Sequence, residues 1–106
     1  MSQKFKIKGF EPSKREADDI YELLDIFQED LAKFILRSRL QGMIKSLPYW
    51  ELPPYTGPNG ELIYRVAQIY DRGIGYNVFA IVIYQEGKYQ LKDYYLTKIE
   101  SSFPLL

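Results

Sequence analysis

The chain has 106 residues, 14 basic and 14 acidic side chains, 46% hydrophobic and 16% aromatic residues, and neither cysteine nor histidine. That length suits one domain, residues 1–106, with a modest core, and the balanced charge gives no global pull toward nucleic acid. The missing residue types exclude disulfides, thiolate nucleophiles, Cys/His zinc sites and imidazole bases, so no metal or cofactor is expected and any chemistry falls to carboxylates, Lys, Arg, Tyr, Ser or Thr.

Lys4-Phe5-Lys6-Ile7-Lys8 alternates charged and apolar residues, as a half-buried strand does, and lysines on the wet face suit an edge position. Ser13 and Glu16 have the spacing of a capping box, which predicts a helix start after Pro12. Ile20, Leu23, Leu24, Phe27, Leu31, Phe34 and Ile35 then recur at helical spacing, and the apolar pattern runs on through Leu36, Leu40, Met43, Ile44 and Leu47. One helix over 13–47 is too long for a domain of this size, so the expectation is a helical hairpin that breaks near Gln28 to Asp30, with Asp30 capping the second helix. Charge is segregated along this region. Glu16 to Asp30 holds seven acids and no base, and Leu31 to Trp50 holds four bases (Lys33, Arg37, Arg39, Lys45) and no acid. These runs read either as solvated helix faces or as one side of a site for an anion, nucleic acid or an acidic partner.

Pro48 ends the helical region. The connector that follows interleaves Tyr49, Trp50 and Tyr55 with Pro53, Pro54 and Pro58, and reads either as aromatic packing over the end of a sheet or as a ligand for a proline-recognition domain. Asn59-Gly60 is a turn signal. Three long strands follow: Leu62 to Tyr70, Tyr76 to Tyr84 and Tyr89 to Ile99, joined at Arg72-Gly73-Ile74-Gly75 and Glu86-Gly87. The middle strand is apolar on both faces, with Val78, Ala80 and Val82 on one and Phe79, Ile81 and Ile83 on the other, so it is central in the sheet. Helices cover one face. The other is covered by the connector, by the tail Phe103 to Leu106 or by a second copy in a homodimer, or it is left open as a binding concavity. The predicted fold class is α+β: an N-terminal strand, a helical hairpin and a three-stranded antiparallel meander, about four strands in all with helices on one face. No apolar leader opens the chain and no run approaches the ~18 residues that span a bilayer, which predicts a soluble cytoplasmic protein that contacts no membrane.

Gly73-Ile74-Gly75 lacks the Lys and the following helix of a phosphate loop and fits a hairpin turn. Asp71 and Asp93 form a carboxylate pair only if neighbouring strands bring them together; otherwise they are turn and surface acids. Strict alternation places Arg65 on the face of Ile63, Ala67 and Ile69, where a half-buried guanidinium needs an anionic partner, either from the protein or a ligand phosphate. On the last strand Lys92, Tyr94 and Lys98 share one side, and Asp93, Tyr95 and Thr97 the other. Cations beside tyrosines suit RNA, with Arg and Lys on the backbone and Tyr stacked on a base; they equally suit ordinary cross-strand pairing on a wet face.

The segments Leu62-Ile63-Tyr64-Arg65-Val66, Tyr76-Asn77-Val78-Phe79-Ala80-Ile81 and Tyr94-Tyr95-Leu96-Thr97-Lys98, set after a helical hairpin and a proline-marked loop, resemble the RelE/HigB superfamily of toxin ribonucleases in its phage-derived, HigB-like branch. The similarity spans residues 30 to 100. It implies metal-independent messenger RNA cleavage at the ribosome and an antitoxin partner. Arg65 would lie near the scissile phosphate, Tyr95 or Lys98 would belong to the catalytic group, and Lys33, Arg37 and Arg39 would be helix cations facing RNA; Lys92 and Tyr94 are RNA or partner contacts on the strand pattern alone. The chain departs from the family pattern at Asn77, where an Arg is usual, in lacking a last-strand His, and in its neutral charge. The competing expectation is a non-catalytic interaction protein, such as a viral or plasmid-borne inhibitor that binds a host protein complex through its tyrosines.

Overall fold

The computed structural model describes residues 3–37 and 42–99. Seven strands make one sheet: β1 (Lys4–Phe5), β2 (Glu16–Ala17), β3 (Gly42–Ser46), β4 (Tyr55–Thr56), β5 (Leu62–Asp71), β6 (Ile74–Gln85) and β7 (Lys88–Lys98). Among the described residues a single α-helix, α1 (Ile20–Arg37), joins β2 to β3, and a 3-10 turn covers Tyr49–Glu51. The spatial order is β1-β7-β6-β5-β3, with β2 also on β7 and β4 also on β5, and every pairing is antiparallel.

The helical hairpin does not form, and the fold is a single-sheet α+β domain with one helix among the described residues. Helix α1 runs straight through Gln28 to Asp30, where the break was expected. Met43 and Ile44, read as the continuation of its stripe, belong instead to β3, which pairs with β5 from Gly42 opposite Asp71 to Ser46 opposite Ala67. A short apolar run fits a helical or an extended period equally well, and only pairing decides between them. In β3 Met43 is exposed while Ile44 packs on the core, which is strand alternation. The part of the RelE/HigB resemblance that rests on a helical hairpin falls with it. Arg39, Leu40 and Phe103 to Leu106 lie outside the described residues.

The helix also starts later than Ser13 and Glu16 suggest. Asp19 precedes it, and its Oδ1 accepts a hydrogen bond from Tyr21 N at 2.9 Å, an N-cap arrangement. Ser13 instead ties the N-terminal segment to the helix, its N and Oγ both donating to Asp30 Oδ2 at 2.7 and 2.8 Å. Asp30, read as a cap, is thus a tether.

The face of α1 carrying Leu23, Leu24, Phe27, Leu31 and Ile35 packs on one side of the sheet, against Val66, Ala67, Ile69, Val78, Ala80, Val82, Leu91, Tyr94 and Leu96. Gln28 extends from the helix to the backbone, its Nε2 donating to Leu47 O at 2.8 Å and to Val66 O at 2.9 Å. It thereby fastens β3's exit and β5 to α1. Each carbonyl also accepts a backbone N–H, Leu47 O from Tyr49 N at 2.8 Å and Val66 O from Leu47 N at 3.0 Å. Gln28→Ala therefore removes two hydrogen bonds without orphaning either acceptor, and at roughly 0.5–1.5 kcal/mol per bond we expect it to lower the unfolding free energy by about 1–3 kcal/mol in urea titration.

Both long hairpins turn in two residues with positive φ, Arg72-Gly73 (53° and 82°) and Glu86-Gly87 (54° and 78°), the conformation that matches strand twist. Each hairpin then carries a bulge that resets its register. Between β5 and β6 the pairing shifts between Arg65 and Ala67, and Val66 is the extra residue. Between β6 and β7 it shifts between Ile81 and Val82, and Lys92 is the extra residue. Adjacent Val66 and Ala67 are consequently both buried, as are Leu91 and Tyr94 three residues apart, which strict alternation forbids.

Candidate nucleic-acid interface

The bulge at Val66 decides where Arg65 lies. Beyond it Ala67 and Ile69 face the core, while Arg65 shares the opposite face with Ile63 and is exposed. Its predicted company of Ile63, Ala67 and Ile69 is therefore split between the two faces. Among the described residues Arg65 makes no ion pair.

In register Arg65 stands opposite Phe79, and Phe79 opposite Tyr95, so guanidinium, phenyl and phenol form one row across β5, β6 and β7. Phe79 and Tyr95 are stacked, with centroids 5.1 Å apart and planes inclined by 22°. Tyr55 of β4, 66% exposed, extends the aromatic surface, its ring 6.4 Å from Phe79. At the other end Lys4 Nζ lies 4.6 Å from the Tyr95 centroid, a cation–π contact. Partial burial, then the nearby Tyr55 hydroxyl, raises the Tyr95 phenol above its usual value. Half-buried Ile63, Ile81 and Ile83 lie on the same face, and α1 lies on the other. Lys45, exposed on β3 opposite Gln68, adds a further cation at the rim.

Lys6 is already engaged: it bonds the Asp93 carboxylate and the Tyr94 carbonyl oxygen. Burial raises the Asp93 pKa, but the hydrogen bonds from Lys6 and from Tyr94 N outweigh it, and the net shift is downward from 3.8. A carboxylate favoured in this way contributes stability above its unfolded pKa and loses it as the pH falls through the lower folded value. An NMR pH titration should find the Asp93 midpoint below 3.8 and should find it raised in Lys6→Ala.

The remaining expected residues scatter. Tyr94 is 7% exposed, its ring packed on Phe10 and Phe27 and its hydroxyl bonded to Ile7 N and O at 3.1 and 3.3 Å, so it is a core residue that anchors the N-terminal segment. Lys98 pairs with Tyr76, three positions from Tyr95 and thus on the opposite face of β7. Lys92, in the bulge, is exposed, and its charge helps hold the Glu61 carboxyl below its usual value, after the backbone hydrogen bonds of Glu61 and Asn59. Lys33 pairs with Glu29 at 3.8 Å and Arg37 is exposed at the helix end, both on the element that covers the other face of the sheet. Arg39 lies outside the described residues. Asp71 and Asp93 are not brought together: Asp71 ends β5 opposite Ile74, and Asp93 stands opposite Ile81.

The structure therefore unites Arg65 with Tyr95 and separates both from Lys98, Tyr94 and the helix cations. Phe79, Tyr55 and Lys4, which complete the row, were not among the expected site residues. Phe79 was legible only as sharing one face of the middle strand with Ile81 and Ile83; that this face points away from α1, and which residues flank it, required the fold and the register. Among the described residues no cluster of three or more acids suits a metal ion, and no helix is long and apolar enough to cross a membrane. No family model, curated protein or solved structure matches the chain.

Proposed function

We propose that this protein binds single-stranded RNA across the helix-free face of its sheet. The observation that carries the reading is the stacked pair Phe79–Tyr95, extended by Tyr55 and flanked by Lys4 and by Arg65, which makes no ion pair among the described residues. Rings on a strand surface stack with bases of any sequence, and cations beside them hold the backbone. The RelE/HigB resemblance implies an RNA-directed role, and from it Arg65 and Tyr95 carry over as RNA contacts. Lys98, on the other side of β7, does not join them, and the reading is accordingly a binding module rather than a three-residue nuclease centre.

Arg65→Ala should weaken binding of a short single-stranded RNA uniformly across sequences and reduce the slope of log K against log salt by about one phosphate contact. Fluorescence anisotropy at several salt concentrations measures both. An unchanged slope removes Arg65 from the interface. If RNA of any sequence fails to bind, the same apolar face, with Ile63 and Ile81 beside its rings, becomes a protein-docking surface instead.

A further inference from the structure

Between the proline connector and β5 lies a cavity of about 330 Å³, at the small end of the roughly 300–1,000 Å³ typical of ligand sites. It opens where β5 lacks a strand partner. β4 reaches only as far as Ile63, β3 begins at Ala67, and Tyr64 and Arg65 between them pair only with β6 on the other side. Leu52, Pro54, Tyr55 and Ile63 give it apolar walls, and Arg65 and Glu51 are its charged members. Its floor is fixed: the buried Tyr49 ring meets Tyr64 edge-on at 5.9 Å and its hydroxyl donates to Asp25 at 2.8 Å. Tyr55 and Arg65 belong to both the cavity and the aromatic row, so a strand of RNA on the sheet passes its mouth.

We infer that this cavity receives one unstacked base of the bound RNA, with the adjoining phosphate on Arg65 and an exocyclic amino group of the base donating to the Glu51 carboxylate. The inference rests on the RNA-binding reading and deepens it by naming the nucleotide class selected: bases bearing an exocyclic amino group, against uracil. The pairing is chemical. A largely apolar slot suits a base, a cation at its rim suits the phosphate, and a carboxylate accepts freely from an exocyclic amino group, whereas uracil offers only its N3–H, flanked by two carbonyl oxygens that the carboxylate repels.

The test compares three RNA heptamers, all-uridine and the same with a single central cytidine or adenosine, binding to the full chain and to Leu52→Trp and Glu51→Gln. Leu52 is 64% exposed, so the larger ring fills the cavity without entering the core. The expected result is about tenfold tighter binding of at least one substituted heptamer than of all-uridine, with that ratio falling to about one in both variants. Equal binding of all three heptamers, or a preference that survives in Leu52→Trp, overturns the cavity assignment and leaves the aromatic row standing. No binding of any heptamer overturns both.

Discussion

Replacing Phe79 by alanine should weaken single-stranded RNA binding about five- to 150-fold, the loss that follows from removing one base–aromatic stack worth roughly 1–3 kcal/mol. Phe79 is the middle of the row: it stacks on Tyr95, meets Tyr55 and stands opposite Arg65, so its removal breaks the continuity of the surface as well as one contact. Tyr95→Ala should cost a similar factor. Tyr95→Phe should cost little, because the role assigned to this residue belongs to its ring. Anisotropy titrations of the three variants decide the matter. A Tyr95→Phe loss as large as that of Tyr95→Ala would shift weight from stacking to the hydroxyl and revive an acid–base role. Folding is the control, and near-native urea midpoints are expected because Phe79 and Tyr95 lie on the face away from α1.

The opposite pattern is expected on the core side. Phe27 is fully buried on α1, with its ring 5.9 Å from both Phe10 and Tyr94. It joins the helix, the N-terminal segment and β7 in one aromatic cluster. Phe27→Ala removes that junction and leaves a cavity that three separate elements would have to close together, so we expect a loss of about 3–5 kcal/mol in unfolding free energy. For a domain of this size, typically stable by about 5–15 kcal/mol, that is a large share of the total. Urea titration measures it, and a loss below about 1 kcal/mol would show that the cluster is not the joint between helix and sheet. Sheet-face variants that lose RNA and core variants that lose stability would thus separate function from fold along the two faces of a single sheet.

How far these features could be read beforehand depends on what kind of signal encodes each. The two-residue turns at Arg72-Gly73 and Glu86-Gly87 are local chemistry, and with them the three long strands and the two faces of β6 are visible in the chain. The bulges are not. Continued from Gln85 opposite Lys88, an unbroken ladder would set Phe79 opposite the buried Tyr94; one extra residue at Lys92 sets it opposite Tyr95 instead. In the same way Val66 moves Arg65 from the core side to the open side. Each bulge reverses every side chain beyond it, and no residue type marks either position, so alternation alone misplaced Arg65 and Lys92; it grouped Tyr94 correctly with Lys98 but could not show that this side of the strand is the core side. The second helix failed for a related reason. Met43 and Ile44 are apolar enough for either period, and it is pairing with Tyr70 and Ile69, distant in sequence, that makes them a strand. The aromatic row is a product of register, assembled from β4, β5, β6 and β7 by pairings that only the folded sheet supplies.

The most direct test is an NMR titration of the labelled protein with a short single-stranded RNA, following the ring resonances of Tyr55, Phe79 and Tyr95 alongside the backbone amides of α1. The account predicts saturable shifts at the three rings and at Arg65, with Lys33 and Arg37 unmoved. Shifts confined to the helix, or none at RNA concentrations that bind other stacking modules, would contradict it.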